Sequence, residues 1–88
     1  METKSIKFME NWLLKRGINV VGTTEEFNGQ QGGIWIDAED EKSQEYFEYY
    51  NYNESHIFGV RKKLSEQANK YGWYFSWNDP GTIMLWLI

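Results

Sequence analysis

Two apolar-rich segments, Trp73 to Trp77 and Thr82 to Leu87, flank Asn78-Asp79-Pro80-Gly81 near the C-terminus, and nothing else in the chain limits its fold so firmly. Proline fixes φ at the first central turn position and glycine supplies positive φ at the second, so the pattern predicts a β-hairpin. Its second arm, Ile83-Met84-Leu85-Trp86-Leu87-Ile88, offers apolar side chains to both faces. Such a strand needs cover on each side, which places it centrally in a sheet or beneath helices and a partner chain.

The remainder supplies elements to cover it. Thr3 can cap a helix in which Ile6, Met9 and Leu13, flanked by Phe8 and Trp12, recur at the spacing of one helical face, with Lys15 and Arg16 at its negative end and Gly17 as terminator. Ile18 to Val21 reads as a short β-branched strand stopped by Gly22. From Thr23 to Gly33 the chain is polar and glycine-rich, with Asn28-Gly29 marking a tight turn, before a second strand at Ile34-Trp35-Ile36. Asn53 or Ser55 can cap another helix, with Ile57, Val60, Leu64, Ala68 and Tyr71 as its apolar stripe and Gly72 at its end. Helix, basic end, glycine and strand thus follow one another at Lys4 to Val21 and again at His56 to Trp77. The expected architecture is α+β: a two-layer sandwich with an antiparallel sheet of four to five strands and two helices on one face.

With 88 residues the chain reads as one domain, and its sixteen aromatics supply the bulk that so small a core needs. No cysteine is present, which removes disulfides, thiolate metal sites and cysteine nucleophiles and suits a reducing cytoplasm. The N-terminus lacks a secretory leader pattern, and the longest apolar run, Ile83 to Ile88, is far short of the roughly 20 residues a spanning helix needs. Seven Ile, seven Asn and seven Lys against two Ala, two Arg and one Pro suggest an AT-rich genome, that of a low-GC bacterium or its phages.

Between Asp37 and Glu54 the chain concentrates seven carboxylates (Asp37, Glu39, Asp40, Glu41, Glu45, Glu48, Glu54) and four tyrosines (Tyr46, Tyr49, Tyr50, Tyr52) around one cation, Lys42. The segment carries minus six of charge and the remainder plus two, so the acidity is local and can steer a basic partner. Glu39 to Tyr52 has no clean period, and Phe47 is the candidate buried anchor.

Acid–base catalysis needs a buried or cleft-bound carboxylate pair, whereas Asp37, Glu39, Asp40 and Glu41 stand nearly consecutively among few apolar neighbours. Alternating Asp37, Glu39 and Glu41 could face a divalent cation, but an EF-hand loop counted from Asp37 has Lys42 where its glycine belongs. His56 is the sole histidine, which excludes two-histidine zinc motifs and leaves a proton-transfer role to one surface side chain. No Gly-x-Ser-x-Gly occurs, and Gly29-Gln30-Gln31-Gly32-Gly33 lacks the Gly-Lys-Ser/Thr ending of a phosphate loop. We therefore expect neither catalytic residues, nor a metal, nor a cofactor.

Tyrosines give rigid contact area and carboxylates give complementarity to Arg and Lys, so Asp37, Glu39, Asp40, Glu41, Glu45, Tyr46, Glu48, Tyr49, Tyr50 and Tyr52 are the candidate partner-binding residues. The competing reading has the tyrosines covering a small core while the acids maintain solubility. In size, composition and local acidity the chain looks like the small accessory proteins by which phages and mobile elements block host nucleic-acid enzymes, anti-CRISPR proteins among them. The likeness implies a non-enzymatic cytoplasmic inhibitor of a bacterial host, docking a nucleic-acid-like surface onto a basic groove. The alternative is a small-ligand or single-stranded nucleic-acid binder using exposed aromatics and the basic helix residues Arg61, Lys62 and Lys63, although a pI near 4.9 opposes direct nucleic-acid binding. The surplus of apolar positions is also compatible with a homodimer.

Overall fold

The computed structural model describes residues 3–48, 56–57 and 59–88, with only the backbone at 56 and 57. It has an antiparallel four-stranded sheet with helices packed on it. The first helix, α1 (Ile6–Leu14), is capped by Ser5, whose hydroxyl accepts from the Phe8 N–H at 3.2 Å. Thr3 was the expected cap, but the chain before Ser5 is engaged elsewhere: the Lys4 N–H bonds the Tyr71 carbonyl at 2.9 Å, and the Thr3 side chain lies against Gly72. The inward face of α1 consists of Met9, Trp12 and Leu13, while Ile6 is left 37% exposed, so the face is rotated towards Trp12 from the one expected.

Strand β1 (Val20–Thr23) continues through Gly22, where the sequence pattern had stopped it, with a register irregularity between Val20 and Gly22. Then comes α2 (Thr24–Asn28), a short helix in the stretch read as an irregular polar turn. Two local devices form it. The Glu26 carboxylate accepts from the Thr23 N–H at 3.1 Å, and Gly29 closes the helix at φ 82°. The buried Thr24 hydroxyl donates to the Gln30 carbonyl at 2.6 Å and accepts from the Gly33 N–H at 3.0 Å, which ties α2 to the start of β2 (Gly33–Asp37).

After the connector come β3 (His56–Ile57) and β4 (Val60–Arg61), a small hairpin closed by Gly59 at φ 78°. A helix running from Asn53 or Ser55 through Ile57 and Val60 is thereby corrected; Asn53 and Ser55 themselves lie outside the described residues. The left-handed Gly59 breaks any helical continuation, and Val60 is held in β geometry by bridging Phe47, so α3 (Lys62–Lys70) begins only after Arg61. Leu64 and Ala68 are its buried residues.

The predicted hairpin is present as β5 (Trp73–Asp79) and β6 (Thr82–Leu87). Its turn differs in one respect: Gly81 does not take positive φ. Instead the Asp79 carboxylate accepts from the Gly81 N–H at 2.9 Å, and a register irregularity between Trp77 and Asp79 absorbs Asn78. The strand order is β1-β2-β6-β5, so β6 is central as its two apolar faces require. Ile34, Ile36, Ile83, Leu85 and Phe75 face α1 and α3 on one side of the sheet and, with Met9, Leu13, Leu64 and Phe47, make the core. α2 lies on the opposite face, where Phe27 packs on Trp35 with ring centroids 4.9 Å apart.

Candidate functional site

The connector leaving β2 is fastened residue by residue. At its start the Asp37 N–H donates to the Asn19 carbonyl and the Ala38 N–H to the Gly81 carbonyl, each at 3.0 Å. Asp37 and Asp40 each turn the chain by accepting from the backbone N–H two residues on, at 2.9 Å from Glu39 and 3.2 Å from Lys42. Ser43, fully buried in a 3₁₀ turn (Ser43–Glu45), accepts from the Asn19 N–H at 3.1 Å. Phe47 enters the core against Phe75 and Trp77, with centroids at 5.3 and 6.4 Å. Beyond it, the Glu48 N–H bonds the Gly59 carbonyl at 2.7 Å and the Arg61 N–H bonds the Tyr46 carbonyl at 2.8 Å, so the connector runs alongside β4.

Inward anchors Ala38, Ser43 and Phe47 alternate with outward acids: Glu39, Glu41, Glu45 and Glu48 are exposed, Asp37 and Asp40 half-buried. Tyr46 is half-buried with the Arg61 guanidinium 5.7 Å from its ring centre, and Glu45 stands 4.0 Å from the same Arg61. Of the predicted partner-binding residues, Asp37, Glu39, Asp40, Glu41, Glu45, Tyr46 and Glu48 therefore share one strap; Tyr49, Tyr50 and Tyr52 lie outside the described residues. Phe47 is buried in the core and the acids point outward from it, an arrangement that both sequence readings of the strap share.

The structure adds Asp79, which segment composition could not bring in because it is remote in sequence. It sits at the β5–β6 turn, where the Glu39 side chain lies so close to Gly81 that a Cβ there would fall 2.5 Å from the carboxylate. Asp37, Glu39 and Asp79 thus gather at one end of the sheet. The Gly81 N–H holds the Asp79 carboxyl below its ordinary value; desolvation opposes it next, and hydrogen bonds from Asn78 and Thr82 lower it further. Among the described residues no three acids or histidines converge as a metal site requires. His56, expected at a helix start, instead begins β3.

A shallow recess of about 460 Å³ lies between the end of α1 and the connector, lined by Leu14, Gly17, Asn19, Asp40, Glu41 and Lys42 among others. Eight of the nine basic residues (Lys4, Lys7, Lys15, Arg16, Arg61, Lys62, Lys63, Lys70) lie on or beside α1 and α3, which leaves Lys42 alone within the connector. No helix among the described residues is long and apolar enough to cross a membrane. Compared with protein-family models, with curated proteins and with solved structures, the chain matches none.

Proposed function

We propose that this is a non-enzymatic interaction protein that uses the strap from Asp37 to Glu48 to engage a basic, nucleic-acid-binding surface of a host protein, as an inhibitor from a phage or mobile element would. The observation that carries the reading is the division of labour within the strap. Ala38, Ser43 and Phe47 are at most 4% exposed, while Glu39, Glu41, Glu45 and Glu48 are exposed and Asp37 and Asp40 half-buried. Exposed carboxylates held on a fixed backbone provide complementarity to Lys and Arg and accelerate encounter. The combined variant Glu39→Lys, Asp40→Asn, Glu41→Lys tests this, because Asn keeps the turn at position 40. It is expected to retain the native melting temperature and lose the partner; undiminished binding would remove the proposal.

A second reading rests on the basic residues of the helix layer. Lys4, Lys7, Lys15, Lys62, Lys63 and Lys70 lie on or beside the helices, with Phe8 40% exposed and the Lys4 ammonium 5.1 Å from its ring centre. This layer could take single-stranded nucleic acid by phosphate pairing and stacking. That reading predicts salt-sensitive oligonucleotide binding that weakens in an Arg61→Ala, Lys62→Ala, Lys63→Ala variant.

A further inference from the structure

The sheet face turned away from α1 and α3 is aromatic and only partly covered. Register places Tyr74, Trp86 and Gly33 in one cross-strand row, Ser76, Met84 and Trp35 in the next, and Asp79, Thr82 and Asp37 at the end. Among the described residues, α2 is the element packed on this face, at the corner that Gly22 and Gly33 keep open. A Cβ on Gly22 would fall 2.8 Å from the Glu26 carboxylate, and one on Gly33 would fall 2.7 Å from the Trp86 ring. Tyr74 remains 43% exposed, and Phe27, Trp35 and Trp86 are half-buried.

Charge tells what this face suits. Glu26 stands over Gly22 at one corner, and Asp37 and Asp79 stand at the other end. Residues 18–41 and 71–88, which build the whole face, contain no lysine or arginine. The ion pair among the described residues, Arg61 with Glu45, is elsewhere. Nucleic acid would bring phosphates towards carboxylates with no base to receive them. A second copy of the same face would bring acid against acid. A guanidinium satisfies both features, since it stacks on indole and phenol rings and pairs in a fork with carboxylates, whereas ammonium is more strongly hydrated and stacks less well.

We propose that this face docks an arginine-bearing segment of a partner protein, with guanidinium groups stacked on Trp35, Tyr74 and Trp86 and paired with Glu26 at one corner or Asp37 and Asp79 at the other. The inference goes beyond the acidic strap, with which it shares only Asp37, and it stands on register and ring placement.

The test is a titration of ¹⁵N-labelled protein with hexa-arginine and, separately, hexa-lysine peptide, following the five indole N–H resonances. The Trp35 and Trp86 resonances are expected to move, with hexa-arginine binding about threefold or more tighter than hexa-lysine. Tyr74→Ala should weaken hexa-arginine binding by about threefold, and the residue's exposure makes the variant safe for folding. The strap variant Asp40→Asn, Glu41→Lys, Glu45→Lys, which leaves Asp37, Glu39 and Asp79 in place, should still show the indole shifts, which separates this surface from the one proposed above. Shifts confined to residues 37–48, or equal affinity for the two peptides with no response to Tyr74→Ala, would overturn the proposal. So would a dimer in sedimentation whose dissociation moves the same indoles, because the occupant would then be a second copy.

Discussion

Asp37, Asp40 and Asp79 all accept a hydrogen bond from the backbone N–H two residues on, so these three acids shape turns as well as supplying charge. The consequence for acid stability is sharpest at Asp79, whose carboxyl is more acidic in the folded chain than in the unfolded one. As pH falls, the unfolded chain binds the proton first. The contribution is therefore complete above the ordinary aspartate value of about 3.9 and is lost as pH drops through the lowered folded value. Asp79→Asn keeps an acceptor for Gly81, and its urea midpoint is expected to depend less steeply on pH below about 4 than that of the native chain. Phe47 has a different role at this scale. It is 1% exposed between Phe75 and Trp77, so Phe47→Ala should cost about 3–5 kcal/mol in denaturant melts. The strap's inner anchor was legible from sequence because Phe47 is the large apolar side chain in an acidic run. The aspartate turns could not be separated there from their charged neighbours.

Elements were legible where periodicity and a breaker agreed. The β5–β6 hairpin, the central place of β6 and the strand at Ile34–Ile36 follow from apolar runs bounded by Pro80, Gly81 and Gly33. The short helix α2 was hidden because Thr-Glu-Glu-Phe-Asn holds one large apolar residue, too few to show a period, and is stabilised by Glu26 reaching back to Thr23 and by a tertiary contact of Phe27 with Trp35. The start of α3 was misplaced for a related reason. Ile57 and Val60 fit a helical stripe by spacing, but Val60 is paired with Ile57 and bridged to Phe47. At this scale Glu26→Ala removes the back-reaching carboxylate and should destabilise the domain by about 0.5–2 kcal/mol. Gly33→Ala should cost about 1–3 kcal/mol, because its Cβ would meet both Thr24 and Trp86 at 2.7 Å. Thermal melts check both, and a neutral Gly33→Ala would show that α2 is free to shift off the sheet.

Across the whole molecule, charge divides by element, with the strap's acids lying beside the helix layer into which Phe47 packs. The bases gather with α1 and α3, while the outer sheet face, α2 and most of the strap carry acids with Lys42 as their sole base. The acids concentrated in the sequence are thus displayed on the exposed side of the strap and at the end of the sheet, where they can attract a basic partner. This placement also explains why composition alone left the site open: total charge is moderate, and only the fold reveals that Asp79 joins Asp37 and Glu39 at one end of the sheet. The most direct measurement is affinity capture from bacterial lysate, with and without nuclease treatment, run side by side with the native chain and the Glu39→Lys, Asp40→Asn, Glu41→Lys variant at matched melting temperatures. The account predicts a protein partner held by the native chain, released by raised salt and missing from the variant. Equal capture by both chains, or capture that disappears with nuclease treatment, would contradict it.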